Sequence, residues 1–192
     1  MSKIINAIGS LVIDFTETIV IGLSLFLVVY LFLVQPHQVN GQSMVPNFQN
    51  GDYVLTDKVS YKFNSPQRGD VVVFHAPTAA NCPMGTGCDF IKRVIGLPGE
   101  TVEVKDNALY VNGQRLEETY IPDDFVISPG SYTKNNRVVT LGSQEFFVSG
   151  DNRPYSSDSR AWGPITQSEI VGKAFFVYWP LSAIGPVEGV SY

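Results

Sequence analysis

Charge is scarce in this 192-residue chain: Asp, Glu, Lys and Arg together make up 16% of it. The balance is acidic, with 13 basic residues against 18 acidic ones and a formal net charge of −5. That composition speaks against general nucleic-acid binding, which needs a basic face. Histidine and cysteine are rarer, with two of each. Four ligands are the rule for structural zinc, and the only histidines are His37 and His75. No metal and no cofactor are therefore expected. No GxSxG elbow is present, so an α/β-hydrolase triad has no support. No HExxH is present, so a zinc-helix peptidase has none either. There is no internal repeat and no low-complexity tract.

Apolar residues are plentiful, at 44% of the chain, with aromatics at 12%. Residues 18–34, TIVIGLSLFLVVYLFLV, carry no charge. As a helix they would span roughly 26 Å at 1.5 Å per residue, slightly under the ~30 Å of a hydrocarbon core. Residues 4–13 are also apolar and could extend that helix, although Asp14 and Glu17 interrupt the two runs. One membrane crossing is expected. A cleavable signal peptide would want a basic leader and a small-residue cleavage site; here Lys3 stands almost alone and QPHQVNG follows Val34. An uncleaved anchor is the reading taken, with a buried core helix as the plain alternative. Residues 1–35 then form the N-terminal segment and anchor, and 36–192 one domain.

Beyond Pro36, which stops the helix, short runs rich in Val, Ile and aromatics recur between Gly and Pro turns. Strands are expected at 52–58, 71–74, 90–96, 101–105, 108–111, 145–149 and 173–179. Asp106 and Asn107 mark a hairpin turn, and 164–171 could hold one helical turn. The pattern predicts a mostly β, antiparallel, barrel-like domain. Cys82 and Cys88, separated by Pro and two Gly, read either as a small disulfide-closed loop or as two free thiols in a surface loop.

Three polar features could carry chemistry. Ser43, between Gly41 and Met44-Val45-Pro46, is by itself an ordinary turn serine. Lys92 lies in the middle of an apolar strand. On a solvated face it would do nothing. Desolvated, its pKa falls and its neutral amine can take a proton, which would activate a neighbouring serine. The third feature, Gly150-Asp151-Asn152-Arg153-Pro154-Tyr155-Ser156-Ser157-Asp158-Ser159-Arg160, has the composition of a solvated loop. His75 reads as a rim residue. Spacing alone leaves all of these open.

Four segments in order resemble the characteristic boxes of bacterial type I signal peptidases. They are Gly41-Gln42-Ser43-Met44-Val45-Pro46, Arg68-Gly69-Asp70-Val71-Val72-Val73-Phe74, Lys92-Arg93-Val94-Ile95-Gly96-Leu97-Pro98-Gly99-Glu100, and the block from Gly150 to Arg160. The resemblance covers most of the chain from residue 19 to about 180. It implies a Ser–Lys serine endopeptidase, with Ser43 as nucleophile and Lys92 as general base, that cuts signal peptides from exported preproteins after small residues (Ala-X-Ala-like). It also implies Ser156 orienting the lysine amine, Asp158 and Arg160 as a supporting ion pair, Asp151 in the same shell, and the Ser43 backbone N–H as oxyanion donor. Its implied partners are signal peptides and the lipid bilayer, with no nucleic acid, and the chain is expected to be monomeric. Its implied place is the cell membrane, crossed once, with the catalytic domain on the extracytoplasmic side.

An extended peptide is expected to add as a strand near residues 38–41 and 89–91. Val39, Gly41, Phe48, Phe90 and Ile91 are the candidate substrate-binding residues. Two departures from the family pattern stand out. Gly41 replaces a serine that assists the oxyanion hole in some members, and Asn47 stands where Thr is common. The short spacing before Gly150 predicts a minimal core with one small hairpin excursion at 101–137. The rival readings are a self-cleaving repressor-type peptidase, which lacks a membrane segment, and an inactive anchored relative that only binds exported peptides.

Overall fold

The computed structural model describes residues 2–80, 88–190 and 192. The apolar N-terminal stretch is one unbroken helix, α1 (Ser2–Phe32). Asp14 and Glu17 sit on it without interrupting it. From Ile8 to Phe32 the mean hydropathy is 2.1 and none of the apolar window is buried in the protein. A core helix of a soluble domain would be covered, so that alternative is set aside. These 25 residues span roughly 38 Å at 1.5 Å per residue, enough to cross a hydrocarbon core. The hydroxyls of Thr16, Thr18 and Ser24 bond back to carbonyls four residues earlier, so those polar groups are satisfied within the helix. Lys58 ties the end of α1 to the domain. Its Nζ donates to Leu31 O at 3.1 Å and its N–H to Leu33 O at 3.0 Å.

The chain continues through β1 (Val34–Gln38), β2 (Tyr53–Asp57), α2 (Ser60–Phe63), β3 (Val71–His75) and β4 (Asp89–Gly96). Next come β5 (Thr101–Lys105), β6 (Ala108–Val111), β7 (Gln114–Arg115), β8 (Val139–Thr140) and β9 (Glu145–Ser149). The last elements are α3 (Ser159–Trp162), β10 (Ile165–Thr166), β11 (Ile170–Trp179) and β12 (Gly185–Pro186). The helical turn expected near 164–171 is a 3₁₀ turn at Gln167–Glu169, preceded by β10. Cys88 is disulfide-bonded. Cys82, its expected partner, lies outside the described residues.

The main sheet runs β1-β2-β11-β3-β4-β9-β10, with β12 beside β11. Its pairings are antiparallel, as expected, but the sheet does not close into a barrel. β1 and β10 are its two ends. Pro36, which has no N–H to give, lies on the end strand β1, where sheets tolerate proline. β4 pairs with β3 along residues 89–93 but meets β9 only from Arg93 onward. Among the described residues, the outer edges of β1 and of β4 at 89–92 therefore have no strand partner, and the opening lies between them.

The expected small hairpin is larger than predicted. β5 and β6 do form a hairpin, with Asp106 and Asn107 at φ 48° and 57°, the positive values a two-residue turn requires. β7 and β8 widen it into a four-stranded sheet, β7-β6-β5-β8. It has its own core, including Ile95, Val102, Val104, Leu109 and Phe147. Ile95 on β4 and Phe147 on β9 thus anchor the second sheet to the first. Val94 and Val148 of the same two strands point into a separate core with Phe74 and Trp162. Alternation along β4 therefore loads both of its faces.

Leu109 is fully buried in the second sheet's core. Leu109→Ala is expected to cost about 2–5 kcal/mol, read by thermal or chemical denaturation in detergent. A loss under about 1 kcal/mol would mean that this sheet is not packed as described.

Candidate active site

Ser43 stands in the loop between β1 and β2. Hydrogen bonds close that loop: Val39 N–H to Asp52 O at 2.8 Å, Gly51 N–H to Val39 O at 2.8 Å and Gly41 N–H to Asn50 Oδ1 at 2.7 Å. Gly41 takes φ +100°, a conformation that side chains with a Cβ rarely adopt. Met44 and Phe48 anchor the loop in the core beside Val39, Val54 and Val71. Ser43 is left half-buried at the surface of that plug.

Lys92 reaches it from β4. Its residue is 4% exposed, which decides between the solvated and desolvated readings. Nζ lies 2.7 Å from Ser43 Oγ and donates to Ile91 O at 2.8 Å. The Phe90 ring centroid is 5.2 Å from Nζ. Burial disfavours the ammonium and lowers the Lys92 pKa to about 8, against the opposing pull of Asp158 and Asp151.

Those carboxylates are already matched. Asp151 is fully buried and takes two bonds from Arg93, Nε–Oδ1 at 2.9 Å and Nη2–Oδ2 at 2.7 Å. Asp158 is likewise buried and accepts from Arg160 Nε and Nη2, each at 2.8 Å. Burial works against the Asp158 carboxylate, but the charge and hydrogen bonds of Arg160 outweigh it and its pKa is lowered. Asp158 also accepts from Ser149 Oγ and Gly150 N–H. Each negative charge near Lys92 thus has its own arginine, so burial dominates the lysine.

The block from Gly150 to Arg160 is therefore an ordered, largely buried support rather than a solvated loop. Asn152 clamps the serine turn, with its N–H to Ser43 O at 3.0 Å and its Nδ2 to Gln42 O at 2.9 Å. The Ser43 N–H has no hydrogen-bond partner among the described residues. Gly150 permits this approach, since a Cβ there would lie 2.2 Å from Ser156 Oγ and 2.4 Å from Ser43 O. The Lys92 amine bonds Ser43 Oγ and Ile91 O; the Ser156 hydroxyl lies on the Asp158 side, where it helps hold that carboxylate ionised.

A groove of about 420 Å³ opens beside Ser43 and Lys92. Val39, Phe90 and Ile91 line it, together with Val54, Val73 and Ser157. Gly41 and Phe48 do not line it. Phe48 is 3% exposed and belongs to the core beneath.

A family model described as signal peptidase, peptidase S26, matches residues 12–179. The chain belongs to the signal peptidase family. It is therefore a serine endopeptidase. It is 38% identical over 175 residues to a probable signal peptidase I-1 of Synechocystis sp., covering 91% of this chain and 86% of that one. It is 40% identical over 171 residues to a signal peptidase I of Leptolyngbya laminosa, covering 88% and 80%. A signal peptidase I crystal structure from Enterococcus faecalis V583 matches 57% of this chain and 97% of that one, at 33% identity and a TM-score of 0.44.

In this signal peptidase several site residues escaped sequence reasoning. Asn47, noted only as a departure from the family pattern, bonds Asp151 Oδ2 at 2.8 Å and Tyr120 O at 3.0 Å. Arg93 stacks on the Tyr120 ring at 4.5 Å. Arg153, buried in the block, pairs with Glu118, with Nη1 at 2.6 Å from Oε2. Arg153 also holds Gly150 O at 2.9 Å. Glu118 and Tyr120 lie in the stretch between β7 and β8, so the second sheet's connection braces the serine corner. Nothing local in the sequence signals such pairs, since Arg153 and Glu118 both stand among polar residues.

Removing one partner of a buried ion pair leaves a bare charge behind. Glu118→Ala is expected to destabilise this peptidase by about 3–5 kcal/mol, measured as a fall in its denaturation midpoint. A variant as stable as the parent would show that Arg153 does not depend on Glu118.

Proposed function

We propose that this peptidase removes signal peptides from exported preproteins by a Ser43–Lys92 mechanism. The observation that carries the reading is a buried lysine amine 2.7 Å from a serine hydroxyl at the wall of a strand-edged groove. With its pKa near 8, about a tenth of Lys92 is neutral at pH 7. The neutral amine takes the hydroxyl proton as Ser43 Oγ attacks the scissile carbonyl carbon. The resulting oxyanion accepts from the unpartnered Ser43 N–H. As the C–N bond breaks, the Lys92 ammonium returns its proton to the leaving amine. A water deprotonated by Lys92 then attacks the acyl ester, and Ser43 leaves with its proton restored. Gly41 offers no side-chain donor, so a second oxyanion donor comes from water or backbone.

The substrate segment lies extended in the groove. Unpaired edges of β1 and of β4 at 89–92 flank it and can donate and accept main-chain hydrogen bonds. Val39, Phe90 and Ile91 bound a shallow apolar wall, which suits small residues of the Ala-X-Ala kind. Helix α1 crosses the membrane once and holds the domain at the extracytoplasmic surface. There Ser43 meets cleavage sites as preproteins emerge.

Cleavage of a preprotein in detergent tests this. The wild type should cut, while Ser43→Ala and Lys92→Ala should each lose at least about 10⁴-fold in kcat/KM. If the wild type binds signal peptides without cutting, the chain is an inactive anchored relative. Near-normal cutting by Lys92→Ala would remove lysine from the mechanism.

The pH profile follows from the same group. Only the neutral amine accepts a proton, so activity should rise with pH through about 8. It should drop about tenfold per unit below about pH 7. A rate constant that stays flat down to pH 5 would exclude a lysine base.

A further inference from the structure

One surface residue of the serine loop reaches into the buried support. Asn47 is exposed, yet its amide nitrogen donates to Asp151 Oδ2 at 2.8 Å and to Tyr120 O at 3.0 Å. Both partners are acceptors, so the amide can be turned only one way. Both of its N–H groups are then spent. Asp151 is fully buried, and its other side-chain donors are Nε and Nη2 of Arg93. Arg93 follows Lys92 on β4 and faces the other side of that strand. It is fixed further by Gly69 O at 2.9 Å and by the Tyr120 ring. Among the described residues, Asn47 is the one side chain of the serine loop that bonds Asp151.

These contacts close a ring. It runs from Ser43 through Asn47, Asp151 and Arg93 to Lys92, and back across the 2.7 Å contact of Nζ with Oγ. Met44 and Phe48 seat the loop in the core beneath, but apolar packing has no direction. The Asn47 amide supplies the direction. Behind it lies a cavity of about 500 Å³ whose lining includes Asn47, Phe48, Arg93 and Tyr120. On that side the loop borders open space rather than packed side chains.

Charge matters as much as direction. Asp158 and Asp151 are the carboxylates that draw a proton toward Lys92. Arg160 and Arg93 answer them, and Arg153 is taken by Glu118. The other neighbours of Nζ are Ser43 Oγ, Ile91 O and the Phe90 ring, none of them charged. The arginines of this corner are all used. A neutral amide therefore secures Asp151 without adding a charge that no arginine would match.

We infer that Asn47 is a positioning residue for the proposed reaction: it locks the serine loop to the lysine strand through Asp151, and it does so without charge. The inference rests on Ser43 and Lys92 acting as nucleophile and base.

The test uses the full-length protein in detergent and one preprotein, with kcat and KM measured across pH. Asn47→Ala removes both bonds. It is expected to lower kcat at least about tenfold with KM within about threefold of wild type, because a small displacement of the hydroxyl harms the attack and not the groove. Its denaturation midpoint corrects kcat for the folded fraction. Asn47→Asp keeps the shape, removes the donors and puts an unmatched carboxylate beside Asp151. Its acidic limb is expected to move up by at least about half a pH unit, since added negative charge favours the ammonium. The position of that limb does not depend on how much enzyme is folded, and a merely structural Asn47 would leave it in place. A loss of kcat under about tenfold in Asn47→Ala, a rise in KM in its stead, or an unmoved limb in Asn47→Asp each overturns the inference. Near-normal cutting by Lys92→Ala would instead overturn the mechanism on which it rests.

Discussion

A lysine ammonium resists burial, and this fold buries one at Lys92. Among the described residues its amine bonds a serine hydroxyl and a carbonyl and lies near an aromatic ring. That placement leaves part of the amine neutral near neutral pH, because desolvation lowers its pKa to about 8. The surrounding charges must not undo this. Two carboxylates lie close enough to draw the proton back, and each is paired with an arginine. A third pair, Glu118 with Arg153, fixes the backbone that carries the other two. The supporting shell is thus less a set of contacts to Lys92 than a way of keeping its surroundings neutral.

That shell explains why the second sheet matters to the site. Glu118 and Tyr120 come from the stretch between β7 and β8, yet they hold Arg153, Arg93 and Asn47. The two sheets share strands as well as side chains, since Ile95 and Phe147 belong to the second core while Val94 and Val148 belong to the first. Stability in one sheet is therefore coupled to geometry in the other. The open edge between β1 and β4 follows from the same arrangement. β9 pairs with β4 only beyond Lys92, which leaves backbone free beside Ser43 and Lys92.

Much of this was legible along the chain. The apolar run, the alternating strands, the Asp106-Asn107 turn and the family boxes all depend on neighbours in sequence. Local periodicity and turn chemistry express such features directly. The motif order even singled out Ser43 and Lys92, which are 49 positions apart. Their roles as nucleophile and base remain the proposal made above. The open sheet and the width of the excursion were not legible. β7 and β8 are two residues each, too short to leave a periodic trace, and β8 pairs with the distant β5.

Sequence by itself determined the class of the domain, the long apolar helix and the family, because each rests on local pattern. It could not say whether Lys92 faced water or protein, since alternation assigns a face without saying what covers it. Only the tertiary structure decided that. Burial and pairing are set by residues brought together from distant positions, such as Arg93 with Asp151 and Glu118 with Arg153. Those same contacts turn a lysine in a strand into an amine that can take a proton.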